Sequence, residues 1–231
     1  MSLVEISNLS KTYQMGEVTI SALKEVSLEI EEGTFVSVIG PSGSGKSTLM
    51  NLIGVLDQPT SGTIKVAGQE VSHLNGKERA NFRGDPLGFV FQNFNLIPVL
   101  TVYENVEYPL IMVKNENASQ QRDHINGLLD AVGVLDQRSK MPHQISGGQM
   151  QRVAVARALV TRPKLVIADE PTANLDHDTA HKIINLMKEM KDKWNTTFIF
   201  STHDPKIIGE AEIIYTLEDG MLKNREDRRS K

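Results

Sequence analysis

Four mainly apolar runs stand out along the chain, at 34–39, 87–91, 164–168 and 196–201. They are rich in β-branched and aromatic residues and lack polar alternation. Such runs predict strands buried on both faces, as in a parallel sheet. Residues 4–9 alternate apolar and polar, which predicts a half-buried strand. Further strands are expected at 18–20 and 26–30, making an opening group of short antiparallel strands. Residues 63–66 and 69–71 flank Ala67-Gly68, and 213–217 and 221–222 flank Asp219-Gly220. Both arrangements predict hairpins.

Helical spacing fills the remainder. Residues 76–83 predict a short polar helix, broken by Gly84-Asp85-Pro86. Thr101 and Glu104 form a capping-box pattern that opens a helix. Ile125, Leu128, Leu129 and Val132 share one face of a helix over 120–132, which Gly133 closes. Helical character continues to about Leu159. Ile183, Ile184, Met187 and Met190 line one face of a helix over 178–190. Residues 115–119 form a polar linker, and the polar stretch 224–231 is expected to fray. Helices dominate 93–160, between two strand-rich regions, as expected for a helical insert in an α/β core. The segment 93–113 is apolar and interrupted by proline; it is either a core loop or a docking surface.

Composition narrows the class. The chain has 231 residues, with 39% apolar and 23% charged, as in soluble globular proteins. Its 25 Lys and Arg against 29 Asp and Glu give a net charge of −4. No broad basic surface is implied, so no nucleic-acid partner is expected. Cysteine is absent, which excludes thiolate chemistry. No signal peptide is expected at the N-terminus. No apolar run approaches the about 20 residues that span a bilayer, so no direct membrane insertion is expected.

The chemistry gathers at predicted strand ends. Gly40-Pro41-Ser42-Gly43-Ser44-Gly45-Lys46-Ser47-Thr48 fits G-x-x-x-x-G-K-[ST], between a predicted strand and a predicted helix. Its glycines let backbone N–H groups close on phosphate oxygens. Lys46 can reach the outer phosphates, and the Ser47 hydroxyl can ligate Mg²⁺. Three other buried strands end in Gln92, in Asp169-Glu170 and at His203. In an open parallel sheet such ends border one crevice. Asp169 suits a metal-side carboxylate, Glu170 can polarise an attacking water, Gln92 can bridge metal and water, and His203 can donate to a γ-phosphate. Ser146-Gly147-Gly148-Gln149 opens a second helix, with Ser146 as its cap and backbone N–H groups free for an anion. Tyr13 could face a nucleotide base or simply pack.

With these motifs the chain resembles the ATP-binding cassette (ABC) ATPase subunits over nearly its whole length. The resemblance implies an α/β phosphate-loop NTPase of ABC type: a mixed β-sheet core, an antiparallel β subdomain and an inserted α-helical subdomain. It places the core and β subdomain at 1–92 and 161–223, and the helical subdomain at 93–160. Gly40 to Thr48 matches Walker A and 165–169 matches Walker B. Glu170 matches the catalytic glutamate, Gln92 the Q-loop and His203 the switch histidine. Ile145-Ser146-Gly147-Gly148-Gln149 matches the signature, with Ile145 where Leu is usual. Asn174-Leu175-Asp176 matches the D-loop, and Tyr13 the aromatic that stacks on adenine. The implied catalytic residues are Glu170, His203, Lys46 and Gln92, and the implied metal ligands are Ser47, Gln92 and Asp169, with ATP and Mg²⁺ as cofactors. The implied assembly is a head-to-tail homodimer with ATP at the interface.

The stretch 89–98, with Leu100 to Val106 and Pro109-Leu110, resembles the branch serving lipoprotein release and macrolide export. It implies an integral membrane permease docking near 93–113, and a cytoplasmic location on the inner face of the cell membrane. A member that transmits force to an extracytoplasmic enzyme without moving a solute is the alternative. A GTPase would carry N-K-x-D, which this chain lacks.

Overall fold

The computed structural model describes residues 1–114 and 121–229. β1 (Ser2–Met15) and β2 (Val18–Glu31) form one long antiparallel hairpin. The two short strands expected at 18–20 and 26–30 are therefore a single strand. Their ladder to β1 continues through several register shifts, near which Asn8 and Glu25 take positive φ. Each irregularity breaks the two-residue alternation, so the strand reads as fragments.

Beyond β3 (Phe35–Ile39) and α1 (Lys46–Ile53), β4 (Ser61–Val66) pairs with β1, and β5 (Gln69–Glu70) with β4. This antiparallel sheet has the order β2-β1-β4-β5. α2 (Gly76–Arg83) starts at an Asn75–Glu78 capping box and leads into β6 (Leu87–Phe91). α3 (Val102–Pro109) starts at the expected Thr101–Glu104 box and runs into a π-helical turn, Leu110–Lys114. α4 (Arg122–Ala131) buries Ile125, Leu128 and Leu129. Two short 3-10 turns, not continuous helix, connect it to α5 (Gly147–Leu159). The linker expected at 115–119 lies outside the described residues.

β7 (Leu165–Asp169), α6 (His177–Trp194), β8 (Thr197–Ser201), α7 (Pro205–Ile208), β9 (Ile213–Glu218) and β10 (Met221–Asp227) complete the chain. The second sheet has the order β10-β9-β3-β8-β7-β6. Its strands are parallel except β10, which runs antiparallel on the edge. Both faces of this sheet are covered. Leu165 and Ile167 join an apolar layer with α1 and the antiparallel sheet. Val166 and Ala168 join a second layer with α5 and α6. That is why β7 carries no polar alternation.

The end expected to fray from Asn224 is strand as far as Asp227. Arg229 then bridges Asp227 at 2.6 Å and Glu31 of β2 at 2.7 Å. An edge strand tied by ion pairs needs few apolar residues, so its sequence looks like a tail.

Candidate active site

The phosphate loop turns from the end of β3 into α1. Gly45 caps α1 with φ 101° and offers no side-chain cap, so the first N–H groups of the helix are left for an anion. Gly40 holds φ 149°, and a Cβ there would stand 2.0 Å from the Leu217 carbonyl oxygen. Only glycine fits where the loop crosses β9. Lys46 is almost fully buried, and its Nζ donates to the carbonyls of Gly40 at 2.8 Å and Pro41 at 3.0 Å. The loop's own carbonyls thus hold the ammonium along the inside of the turn. The third ammonium proton remains for a ligand.

A cavity of about 650 Å³ opens above the loop. Ser42, Gly43, Gly45, Lys46, Ser47 and Thr48 line one side, Glu170 and His203 another, and Ile20, Ser21 and Ala22 of β2 a third. Three of the four expected strand ends meet here or next to it, with Asp169 directly preceding Glu170. His203 Nδ1 lies 3.2 Å from Glu170 Oε2, which joins the ends of β7 and β8 across the cavity wall.

Glu170 carries φ +46°, a left-handed conformation unusual for a side chain of its size. Ser201 holds it there. The Ser201 Oγ accepts from the Glu170 N–H at 2.9 Å and donates to Asp169 Oδ1 at 2.6 Å. Ser201 is fully buried. The sequence reading passed over it, although it ends a strand that delivers His203 two residues later.

Other expected residues stand apart from the cavity. The Gln92 side chain is exposed and lines no part of it; Asn174 holds the Gln92 carbonyl at 3.1 Å and Asn93 Oδ1 at 3.0 Å. Arg157 of α5 grips the next two carbonyls, of Phe94 at 2.7 Å and of Asn95 at 2.5 Å. Burial pushes its guanidinium below the usual arginine range. Asp176 caps α6 by accepting from the Thr179 N–H at 3.0 Å, and Thr179, through its side chain first and then that N–H, holds the carboxyl low. Ser146 and Gln149 form a reciprocal cap on α5, with Ser146 exposed. Ser146 to Gln149 do not line the phosphate-loop cavity either. The Tyr13 hydroxyl is bonded to Asp57 at 2.8 Å.

The donors suit a hydrated Mg²⁺ held mainly by phosphates. No group of three or more His, Cys, Asp or Glu that could hold a metal occurs among the described residues. One carboxylate and one hydroxyl, Asp169 and Ser47, suffice for an ion that keeps waters and takes substrate phosphates.

The family model described as ABC transporter matches residues 23–173. A second model, an AAA domain, matches 142–209. The chain is 43% identical over 228 residues to MJ0796, an ABC transporter ATP-binding protein of Methanocaldococcus jannaschii, covering 97% of each chain. It is 42% identical over 224 residues to MacB of Syntrophobacter fumaroxidans, a macrolide export ATP-binding/permease protein, covering 96% of this chain and 31% of that one. Among solved structures, a dimeric post-hydrolysis state of MJ0796 bound to ADP and Pi superposes with a TM-score of 0.90, covering 98% of this chain and 99% of that one. With that family match, that identity over whole chains and the phosphate-loop geometry, the chain belongs to the ABC transporter ATP-binding family, whose cassettes bind and hydrolyse ATP.

Proposed function

We propose that two copies of this chain close head to tail on two ATP molecules and drive a separate membrane permease of the macrolide-export or lipoprotein-release type. One observation carries the closure: among the described residues the phosphate-loop cavity has no lining from 93–160, while the N-terminus of α5 carries an exposed Ser146. A partner copy supplies the missing wall. The ATP lies between Gly40 to Thr48 of one protomer and Ser146 to Gly148 of the other. Tyr13 stacks on the adenine.

In the closed site a water oxygen attacks the γ-phosphorus and the bond to the β-phosphate oxygen breaks, leaving ADP and inorganic phosphate. Glu170 orients the water and takes its proton, and His203 steadies Glu170 and the γ-phosphate. Lys46 and the N–H groups of α1 and α5 offset the charge on the phosphoryl oxygens. Ser47 and Asp169 are the residues that would hold Mg²⁺, which would supply charge neutralisation on the phosphates when bound, and Gln92 would join them only if its exposed side chain swings towards the cavity.

The docking surface lies on 93–113. Val99, Tyr108, Ile111, Met112 and Val113 are large, apolar and exposed, and a 350 Å³ groove beside them runs along Phe89, Phe91 and Pro109. MacB, by its name, joins cassette and permease in one protein. No helix among the described residues is long and apolar enough to cross a membrane. On this reading it is the permease that holds the chain at the inner face of the cell membrane.

Mixing variants tests the composite site. Lys46→Ala and Ser146→Arg should each abolish hydrolysis, and an equal mixture should recover up to about a quarter of the native rate, because mixed pairs rebuild one site. Mixtures as inactive as their parts would overturn the head-to-tail reading. Val113→Asp should abolish co-purification with the permease encoded beside this chain.

A further inference from the structure

Asp57 lies in the turn after α1, and no step of the reaction above uses it. Both its carboxylate oxygens are engaged. Oδ1 accepts from Lys11 Nζ at 2.8 Å and from the Gln58 N–H at 2.7 Å, and Oδ2 accepts from the Tyr13 hydroxyl at 2.8 Å. Lys11 Nζ also donates to the Gln58 carbonyl at 2.7 Å and stands over the Tyr13 ring, 4.8 Å from its centroid. The lysine side chain is only 12% exposed and that of Asp57 31%, so solvent reaches the pair mainly from the aspartate side. Burial pushes the Asp57 carboxyl up, but the bonds from Lys11, Gln58 and Tyr13 more than offset it and hold it below the usual carboxylate range.

The clamped ring stands beside the nucleotide cavity. Tyr13 pairs with Ile20 across the β1–β2 ladder, and directly paired residues project from one face of a sheet. Ile20 lines the cavity, as does Thr48 at the start of α1. An aromatic ring has two faces, and Lys11 covers one.

We propose that Asp57 is a positioning residue for the nucleobase: it locks Tyr13 with Lys11 on one face, so that the base stacks on the other. This rests on the reading that Tyr13 stacks on adenine. The clamp ties β1 to the turn that follows α1, so the spacing between base site and phosphate loop is fixed before ATP arrives. A preformed ring loses little freedom on binding, which favours affinity. Stacking tolerates any base, so the effect should extend to guanine nucleotides.

Calorimetry of ADP and of inorganic pyrophosphate on the intact chain tests this, because pyrophosphate has no base. Asp57→Asn should weaken ADP about fivefold, the size of one stacking contact, and leave pyrophosphate within about twofold. The loss should fall on KM for ATP rather than kcat, and should vanish in a Tyr13→Ala background. Tyr13→Phe, which keeps the ring and loses only the hydroxyl bond, should show part of the same loss and serves if Asp57→Asn does not fold. Equal weakening of ADP and pyrophosphate would assign Asp57 to the phosphate loop and overturn the proposal. So would an unchanged ADP affinity in Asp57→Asn when Tyr13→Ala weakens it. If Tyr13→Ala leaves ADP binding intact, the stacking reading fails and the clamp with it.

Discussion

Ser201 donates its hydroxyl proton to Asp169 across 2.6 Å, from the end of β8 to the end of β7. The same oxygen accepts the Glu170 N–H, so one buried hydroxyl sets the angle of two neighbouring acids. Ser201→Ala removes both bonds while leaving the strand intact. Hydrogen bonds to charged groups contribute about 1.5–3 kcal/mol, so kcat for ATP hydrolysis should fall by about 10–100-fold. Steady-state kinetics at saturating ATP would check it. An unchanged kcat would mean that the β7 end holds its acids without help from β8.

Two glycines of the phosphate loop should respond unequally to alanine. At Gly40 a Cβ would meet the Leu217 carbonyl at 2.0 Å and Ser44 Oγ at 2.8 Å, with φ at 149°. At Gly43, φ is 79° but nothing lies within 4 Å of the added atom. Gly43→Ala carries the cost of left-handed backbone alone, about 1–2 kcal/mol. Gly40→Ala adds a backbone collision and should lose about 3 kcal/mol or more of stability, and nucleotide binding with it. Denaturant midpoints of both variants would reveal the order.

Asn105 organises the turn ahead of α3. It is fully buried, accepts from the Ile97 N–H at 2.7 Å, and donates to the carbonyls of Ile97, Leu100 and Thr101 at 2.9–3.1 Å. Asn105→Leu keeps the volume and strands those backbone groups. The expected loss is about 2–4 kcal/mol, with faster amide exchange at 97–101. Amide exchange unchanged in that segment would show that the loop is held from elsewhere.

These side-chain tethers mark the boundary of what the sequence reveals. The four buried strands, the glycine loop and the Thr101 cap are written in local periodicity and fixed offsets, and each was legible. Asn105 was not, because a lone polar residue in an amphipathic helix reads as a solvated position. Ser201 acts on partners 31 and 32 residues away, and Asp57 on Tyr13 and Lys11, 44 and 46 away, and no local pattern encodes such a pairing. The long β1–β2 hairpin was legible only in pieces, since each bulge flips the face of the alternation. The start of β10 was legible as the second arm of a hairpin, but its polar end from Asn224 was missed, because ion pairs rather than apolar burial hold it. Ser146 to Gln149 do not line the phosphate-loop cavity, and only the signature motif pointed to a role for them.

Glu104 and Glu107 stand on one helix and should show opposite pH behaviour. The Thr101 N–H and hydroxyl bond Glu104 and hold its carboxyl below the usual range. That stabilisation is present above the unfolded value near about 4.3 and is lost as pH falls through the lower folded value. Glu107 is the reverse. Burial, and then the charge of Glu104, push its carboxyl up, while Tyr103 partly offsets them. Its ionised form therefore costs stability, fully so above the raised folded value and not at all below the unfolded one. Glu107→Gln should raise the melting temperature at pH 7, with the gain fading towards pH 4. Glu104→Gln should lower it at pH 7, with the loss fading as acid protonates the native residue. Melting curves of both variants from pH 3.5 to 8 would test the pair. A Glu107→Gln gain that did not change with pH would remove the charge from the explanation and leave only packing.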